Sequence, residues 1–290
     1  MTDWKFIPQT NKIPKLNNPV LVEGMPGIGN VGKIAVDFII EQIKAKKVFE
    51  IFSYDLPNSV FINEHNRVEL PLIEVYYKKF NGNGKDKAKL TKNSKSEKKV
   101  KKIKSCDKRD LIIITGDLQP TDGRSCYAFC DSVLSLFKKV GGSEIITLGG
   151  IGLGQAPKKP QVYCTANNSD FMTSFQKGIK INHNIFGVVG PIIGVSGLLI
   201  GLAERQDVPG ICLLAETLGH PAYLGVGGAR EIIKILDKKL NLGISIKKLD
   251  KEIAELEKEL SQEPGDASKV SKSSLKKITQ RLTKETSYIG

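Results

Sequence analysis

Short apolar runs alternate along the chain with longer segments in which apolar residues recur at helical spacing. The apolar runs, which are typical of buried strands, lie at 19–22, 48–52, 111–115, 145–148, 185–189 and 211–215. The helical patterns lie at 31–44, 125–140, 170–178, 196–205 and 228–240. This alternation predicts an α/β domain with a largely parallel sheet and helices on both faces.

The segment 59–77 departs from this alternation. Its sequence, which includes VFINEHNRVELPLIEVYY, is typical of two adjacent strands with no helix between them. A mixed sheet is therefore expected.

The pattern changes again after Gly243. Apolar residues then fall at alternating spacings of three and four, which places them on one stripe of a helix over 244–262: Ile246, Leu249, Ile253, Leu256 and Leu260. Because the stripe is too short for a free coiled coil, we expect it to pack on its own domain or on a neighbouring subunit. The composition of 263–290 predicts a flexible basic tail. The main domain is thus expected to span 1–243.

A glycine-punctuated turn, VLVEGMPGIGNVGK at 20–33, joins the first predicted strand to the first helix. Gly27, Gly29 and Gly32 fit G-x-G-x-x-G, a spacing that lets a pyrophosphate approach a helix N-terminus. The same stretch fits G-x-x-x-x-G-K through Lys33, but Ile34 stands where a phosphate loop needs the Ser or Thr that binds magnesium. The alternative is a tight turn whose glycines permit positive φ and close packing of helix on sheet.

Several predicted strands end in an acidic residue or a glycine-rich loop. The carboxyl ends of parallel strands meet at one edge of the sheet, where ligands usually bind. The residues that outline this candidate crevice are Gly24, Gly27, Gly29, Gly32, Asp117, Gly152 and Glu216, with Glu23 beside Gly24. Three separated acids define no reaction, since each could equally cap a helix or bind loop amides.

Groups typical of covalent catalysis or metal binding are sparse. Ser196 in GVSGL lacks the second glycine of a nucleophile elbow and is expected to cap a helix. Five cysteines without a C-x-x-C pair predict neither a disulfide framework nor a zinc site. Cys126 and Cys130, one helical turn apart, are expected to pack in the core. With three unclustered histidines, we expect no metal and no cofactor.

The formal charge of +13 is concentrated in one segment. Residues 78–109 carry fourteen Lys and Arg against three acids, a net +11. Few apolar residues accompany them, so we expect a disordered insertion. It could attract nucleic acid only electrostatically. Phe80 alone could stack on a base, so specific recognition is not expected.

No membrane segment is expected. Residues 1–4 do not begin a basic region followed by an apolar stretch, so a secretory signal is not visible and a cytoplasmic location is predicted. Residues 185–203 are uncharged, but repeated glycines interrupt them. A strand at 185–189, a turn at Gly190 and a buried helix from Ser196 explain the stretch better than a membrane span.

Five stretches of the chain resemble the proteasome assembly chaperone family, specifically the archaeal homologues of the second eukaryotic assembly chaperone. They are GMPGIGNVGKIAVDFII (24–40), TGDLQP (115–120), LGGIGLG (148–154), GPIIGVSGLLIGLAER (190–205) and GICLLAETLGHPAYLG (210–225). Their order and spacing, spread over most of 19–240, make the resemblance specific.

The resemblance implies an α/β/α sandwich similar to the purine nucleoside phosphorylases but without their active-site set. It also implies a homo-oligomer that works without ATP and binds proteasome α-subunits during core-particle assembly. The resemblance also implies a docking segment. Some family members look as if they end in a tripeptide of one hydrophobic residue, one tyrosine and one residue of any type, which docks between α-subunits. Here the corresponding residues would be Tyr288, Ile289 and Gly290, with the tyrosine third from the end rather than penultimate.

Two further positions depart from the family pattern. The lysine-rich insertion at 78–109 is not part of it. Val226, Gly227 and Gly228 stand where many relatives look as if they start the last helix with Asp-Pro. The first departure leaves an additional partner open. The second is expected to loosen a helix start.

Two functions of different classes follow. The first is a non-enzymatic assembly chaperone that holds α-subunits through an oligomeric scaffold and a C-terminal tail. The alternative is a nucleotide- or nucleoside-binding enzyme that uses the crevice near Gly27, Gly29, Gly152, Asp117 and Glu216.

Overall fold

A computed structural model describes residues 4–10, 15–63, 65–80, 109–187, 189–247, 249–251 and 253. Most of the predicted insertion, at 81–108, lies outside these residues. The predicted tail over 263–290 and the stripe residues Leu256 and Leu260 also lie outside them.

Between residues 5 and 240 the described residues form ten strands and five α-helices. The strands are β1 (Lys5–Pro8), β2 (Val20–Gly24), β3 (Lys46–Phe52), β4 (Phe61–Ile62), β5 (Val68–Glu69), β6 (Ile73–Lys78), β7 (Leu111–Gly116), β8 (Glu144–Leu153), β9 (Val162–Ala166) and β10 (Gly210–Leu218). The helices are α1 (Val31–Ile43), α2 (Gly123–Lys139), α3 (Ser169–Gln176), α4 (Val195–Glu204) and α5 (Val226–Leu240). All five helices predicted within 31–240 and five of the six predicted apolar strands are confirmed, and the described residues of the further predicted helix over 244–262 are helical at 246–247, 249–251 and 253.

Eight strands form one mixed sheet in the order β1-β3-β6-β7-β2-β8-β10-β9. The four central strands, β7, β2, β8 and β10, run parallel, while the flanking pairs are antiparallel. The segment 59–77 supplies the small β4–β5 hairpin and then β6, an antiparallel strand of the main sheet. The predicted mixed sheet is thus confirmed, with its parallel part at the centre.

Helices cover both faces of the sheet, which makes the fold the predicted α/β/α sandwich. One apolar core contains residues of α1, α3 and α5, and the other contains residues of α2 and α4. β2 and β7 are buried along their whole length. Because both faces of these strands are covered, their sequences are continuous apolar runs rather than alternating ones.

Part of the C-terminal stripe packs on its own domain. Leu249 and Ile253 are buried in the core beside α5, and Ile246 is half-buried against it. The Arg230 Nε atom lies 2.6 Å from Asp250 Oδ1 and ties this segment to α5. The prediction that the stripe packs is therefore confirmed for its described residues.

The two ends of the predicted insertion are tied to the folded domain. The Phe80 amide donates to Asp110 Oδ1 at 2.8 Å, and the Phe80 ring is half-buried against the α1 side of the core. Arg109 forms a two-pronged ion pair with Glu144, with both N–O distances 2.7 Å. Phe80 is consequently engaged by the fold rather than presented for stacking.

The predicted strand at 185–189 is wrong. The described part of this segment forms only an isolated bridge between Phe186 and Val189, and Gly187 has a φ of 78°. A left-handed glycine between the two residues breaks the extended backbone that the apolar composition favoured. The described helices include none that is long and apolar enough to cross a membrane.

The edge strands β1 and β9 were not predicted. β9 pairs antiparallel with β10, with Cys164 opposite Leu213. Its sequence, VYCTA, is short and mixes polar with apolar positions, so it gives a weak strand signal.

Candidate functional site

The glycine turn joins β2 to α1 through a short 3-10 turn at Ile28–Asn30. Gly29 has a φ of 61°, a backbone conformation that favours glycine. A Cβ atom at Gly24 would collide with the Gly32 carbonyl oxygen, and one at Gly32 would lie 2.5 Å from the Leu148 carbonyl oxygen. These glycines therefore let α1 lie close on the sheet, as the packing interpretation of the turn requires.

Lys33, the lysine of the G-x-x-x-x-G-K match, points into the core. It is 1% exposed, and its Nζ atom lies 3.1 Å from Asp37 Oδ2 one turn further along α1. Asp37 Oδ1 in turn accepts a hydrogen bond of 2.9 Å from the Thr115 hydroxyl on β7. The ammonium group is thus used to neutralise a buried carboxylate, which is not the arrangement of a phosphate loop.

A cavity of about 430 Å³ opens between the glycine turn, the end of β8 and the start of α4. Its lining includes the crevice glycines Gly27, Gly32 and Gly152 and apolar side chains such as Met25 and Ile192. Gln119 and Ser196 supply the two polar side chains. The volume lies within the range of small-molecule pockets, although a pocket by itself defines no ligand. We call this space the glycine-loop cavity.

Gln119 connects the two loops that border the glycine-loop cavity. Its Nε2 donates to the Pro26 carbonyl oxygen at 2.7 Å, and its Oε1 accepts from the Val195 amide at 3.1 Å. The side chain therefore supplies an acceptor to the first turn of α4, whose N-cap residue is Gly194. Sequence reasoning missed this residue, although it lies within the TGDLQP stretch.

Glu23 lies beside this cavity and is fully buried. Its Oε1 accepts from the Met25 amide at 3.0 Å and lies 3.3 Å from Ser196 Oγ. Its Oε2 has no hydrogen-bond partner within the described part of the chain. Burial raises the pKa of the Glu23 carboxyl from 4.5 to about 7, and the bonds from Ser196 and Met25 oppose that rise.

The ionisation of Glu23 predicts a specific pH dependence of stability. Since the folded protein keeps a proton that the unfolded chain releases, the contribution of Glu23 to stability falls as the pH rises from 4.5 to about 7. Glu23→Gln removes this titration but keeps an acceptor for the Met25 amide. We expect its free energy of unfolding, relative to the wild type, to rise by about 3 kcal/mol between pH 4 and pH 8.

Urea denaturation at a series of pH values measures this difference. Ser196→Ala is the companion variant: it removes a donor to Glu23, so we expect the pH-dependent step to move above pH 7. Parallel stability curves for the wild type and Glu23→Gln would show that Glu23 does not titrate in this range.

The other two acids of the predicted crevice lie apart from the glycine-loop cavity. Asp117 Oδ2 accepts from the Leu72 amide at 3.0 Å. Glu216 accepts from the Gln161 amide at 3.0 Å and from the Tyr163 hydroxyl at 3.2 Å. Glu216 lines a separate cavity at the start of α5. The predicted single crevice is therefore divided, and the carboxylates bind amides and a hydroxyl, which was the alternative role for them.

Ser196 does not cap α4, so that prediction is wrong. The N-cap residue is Gly194, and Ser196 is the second residue of the helix. Its Oγ lies 3.2 Å from the Leu148 carbonyl oxygen, so its hydroxyl hydrogen is shared between this atom and Glu23. Cys126 and Cys130 are buried and free, which confirms that they pack in the core. The described ranges contain no cluster of three His, Cys, Asp or Glu that could hold a metal.

Exposed apolar side chains lie in the lining of the glycine-loop cavity and next to it. Ile28 and Ile193 line it, and Ile193 is 87% exposed. Phe186 is fully exposed and forms a bridge with Val189, which also lines the cavity. We call Ile28, Phe186 and Ile193 the apolar rim. Large apolar side chains grouped on a surface are typical of sites that contact another protein.

This geometry defines a class of protein: a three-layer α/β/α domain with helix-packing glycines and an apolar rim. The chain belongs to the PAC2 family, whose family model matches residues 21–263. The resemblance to proteasome assembly chaperones is thereby confirmed at the level of the family.

Solved structures agree with this assignment. Pyrococcus furiosus PbaB, described as an archaeal proteasome activator, is 29% identical, with a TM-score of 0.74 over 90% of this chain and 99% of that chain. Pyrococcus furiosus PbaA, described as an archaeal homolog of proteasome-assembly chaperone, is 23% identical, with a TM-score of 0.64 over 89% of this chain and 90% of that chain. The second likeness shows the fold alone. The predicted similarity to nucleoside phosphorylases stays a prediction.

A relative found by sequence comparison matches most of the chain. The protein MJ1210 of Methanocaldococcus jannaschii is 25% identical over 240 residues, which cover 82% of this chain and 80% of the relative.

Proposed function

We propose that the protein is an ATP-independent proteasome assembly chaperone or core-particle-binding factor that holds proteasome α-subunits. The similarity to the proteasome activator PbaB, over 99% of that chain, is the observation that carries this proposal. The packing role of Gly32 and Lys33 also supports a scaffold over a nucleotide-binding enzyme, because the residues that matched nucleotide loops are engaged within the fold.

The proposed scaffold is a homo-oligomer. Four apolar side chains of the β4–β5 region are exposed, namely Val60, Ile62, Val68 and Leu70. A small hairpin with this much exposed apolar surface gains stability by packing against another protein surface. We propose that a second copy of the chain supplies that surface, which leaves the apolar rim for the α-subunits.

The proposed second contact is the C-terminal tail. Tyr288, Ile289 and Gly290 lie outside the described residues, so their docking role rests on the family resemblance. Once the apolar rim has bound an α-subunit, the tethered apolar and aromatic segment is held close to that subunit. Its effective concentration for a second contact is therefore high. A cytoplasmic location, the lack of a cofactor and a non-enzymatic role belong to the same proposal.

Binding to proteasome α-subunits from the same organism tests the proposal. Purified protein is mixed with α-subunits in the absence of nucleotide, and complexes are separated on native gels. We expect a shifted band, and affinity about tenfold weaker for a chain that ends at residue 262 and for Ile193→Ser. Ile193 is exposed, so its replacement leaves the core unchanged.

Tyr127→Ser is the matched control, since Tyr127 is an exposed aromatic residue on α2, outside the apolar rim. It is expected to bind like the wild type. Light scattering of the free protein gives its mass, and a monomer mass would remove the homo-oligomer from the proposal. If neither the wild type nor any variant gives a shifted band on the native gel, the proteasome role itself is excluded.

A further inference from the structure

The second cavity, of about 270 Å³, lies where β10 leads into α5. Its lining includes Lys158, Glu216, Thr217, Gly225, Gly227 and Gly228. None of these residues carries a role in the proposed proteasome contacts. The cavity therefore needs an explanation of its own.

The first turn of α5 faces this cavity without a side-chain cap. The N-cap residue is Gly225, and the first turn contains no acidic residue. The first backbone N–H groups of a helix have no acceptor within the helix, and they carry the positive end of the helix dipole. Gly227 lacks a side chain that would keep a ligand away from this backbone, whereas Gly228 packs against β10, where an added Cβ atom would lie 3.0 Å from the Glu216 carbonyl oxygen. A 15-residue helix thus presents an open, electropositive end to the cavity.

Thr217 supplies an independent sign of a missing partner. The side chain is 1% exposed and lines the cavity, and its Oγ1 has no hydrogen-bond partner among the residues that the structure describes. A Cβ atom at Gly225 would lie 2.7 Å from this oxygen, and so would one at Gly29, so the hydroxyl lies between the N-cap residue of α5 and the glycine turn. Buried hydroxyl groups without a partner are uncommon and costly, which indicates that a further group completes this one.

The charged groups around the cavity leave room for an anion. Glu216 uses one carboxylate oxygen for the Gln161 amide and the other for the Tyr163 hydroxyl. Asp250 is paired with Arg230 at 2.6 Å. Lys158 is exposed at the lip of the cavity, and no ion pair of it occurs in the described ranges. The two acids are therefore engaged by other groups, which leaves Lys158 as a cationic partner for an anion among the described residues.

We infer that this cavity binds a small oxyanion, a carboxylate or a phosphate, at the first turn of α5. The backbone N–H groups of that turn, the Thr217 hydroxyl and the Lys158 ammonium group are the donors. Carboxylate and phosphate share the negatively charged oxygens that such a helix start recognises.

The test uses the full-length protein with inorganic phosphate and with acetate as separate probes. Isothermal titration calorimetry gives the affinity, and the rise in melting temperature is compared with chloride at the same ionic strength. We expect binding of at least one probe, weakened about fivefold in Thr217→Val by the loss of one hydrogen-bond donor. A preference for phosphate or for acetate shows whether the oxyanion that the cavity binds is a phosphate or a carboxylate.

Gly227→Asp is the decisive variant because it places a carboxylate of the chain itself in the first turn. We expect a higher melting temperature without any probe and no further rise with phosphate or acetate. Lys158→Gln is expected to bind the probe more weakly, while Lys159→Gln, a neighbouring exposed lysine outside the cavity lining, is the matched control and binds like the wild type.

Two outcomes would overturn the inference. One is a wild-type protein that responds to phosphate and acetate no more than to chloride. The other is a folded Gly227→Asp variant that still binds the probe with wild-type affinity. The proteasome binding assay is independent of both, so the two proposals fail separately.

Discussion

Lys33→Met is expected to lower the free energy of unfolding by about 3–5 kcal/mol, because it leaves a buried carboxylate without its counter-ion. Lys33 and Asp37 are both buried, and their charged atoms lie 3.1 Å apart. The hydrogen bond from Thr115 to Asp37 cannot replace a positive charge. Urea denaturation at neutral pH measures the loss.

A second substitution separates charge from packing in this result. Lys33→Met combined with Asp37→Asn removes both charges and keeps an acceptor for the Thr115 hydroxyl, so we expect most of the lost stability to return. Lys234→Met is the control: Lys234 pairs with Glu231 at 2.9 Å on the surface, and its loss is expected to cost less than about 1 kcal/mol. Unchanged stability in Lys33→Met, together with lost nucleotide binding, would restore the phosphate-loop interpretation.

The sheet could be predicted from sequence because its central strands are buried on both faces. β2, β7 and β10 carry continuous apolar runs, and an amphipathic or apolar helix follows each of β2, β7 and β10. The edge strands β1 and β9 gave no such signal, since one side of an edge strand has no neighbour and its composition is less constrained. The apolar stretch at 185–189 gave a false signal because apolar composition alone does not show whether a segment is covered.

The candidate site was predicted less well, since its parts come together only through the fold. Sequence placed Asp117, Glu216 and the glycine turn at strand ends, but it could not show that their side chains turn to separate neighbours. Gln119 joins loops that are 93 and 76 residues away from it, a relation that no local pattern contains. The pairing of Lys33 with Asp37 was not predicted either, although their spacing of four on a helix is a visible sign of an ion pair.

Gly32→Ala is expected to destabilise the protein by about 4 kcal/mol, even though alanine is the better helix former. In an open helix, replacing glycine by alanine gains about 1 kcal/mol. At Gly32 the new Cβ atom would lie 2.5 Å from the Leu148 carbonyl oxygen and 3.0 Å from its carbon, and both are backbone atoms of β8. Relief requires α1 to move away from the sheet, so the collision outweighs the gain in helix propensity.

Two glycines in open surroundings give the controls that decide what the turn is for. Gly201 lies within α4, and a Cβ atom there would meet nothing within 4 Å, so Gly201→Ala is expected to stabilise the protein by about 1 kcal/mol. Gly27 has extended backbone with a φ of −167° and the same open space, and Gly27→Ala is expected to change stability by less than about 0.5 kcal/mol.

A loop that holds a pyrophosphate would need both Gly27 and Gly32 for ligand binding, whereas a packing turn needs only Gly32 for stability. Thermal and urea denaturation of the three variants, together with calorimetry against ATP and NAD, distinguishes these two roles of the turn. A Gly27→Ala variant that is stable but has lost nucleotide binding would contradict the packing role.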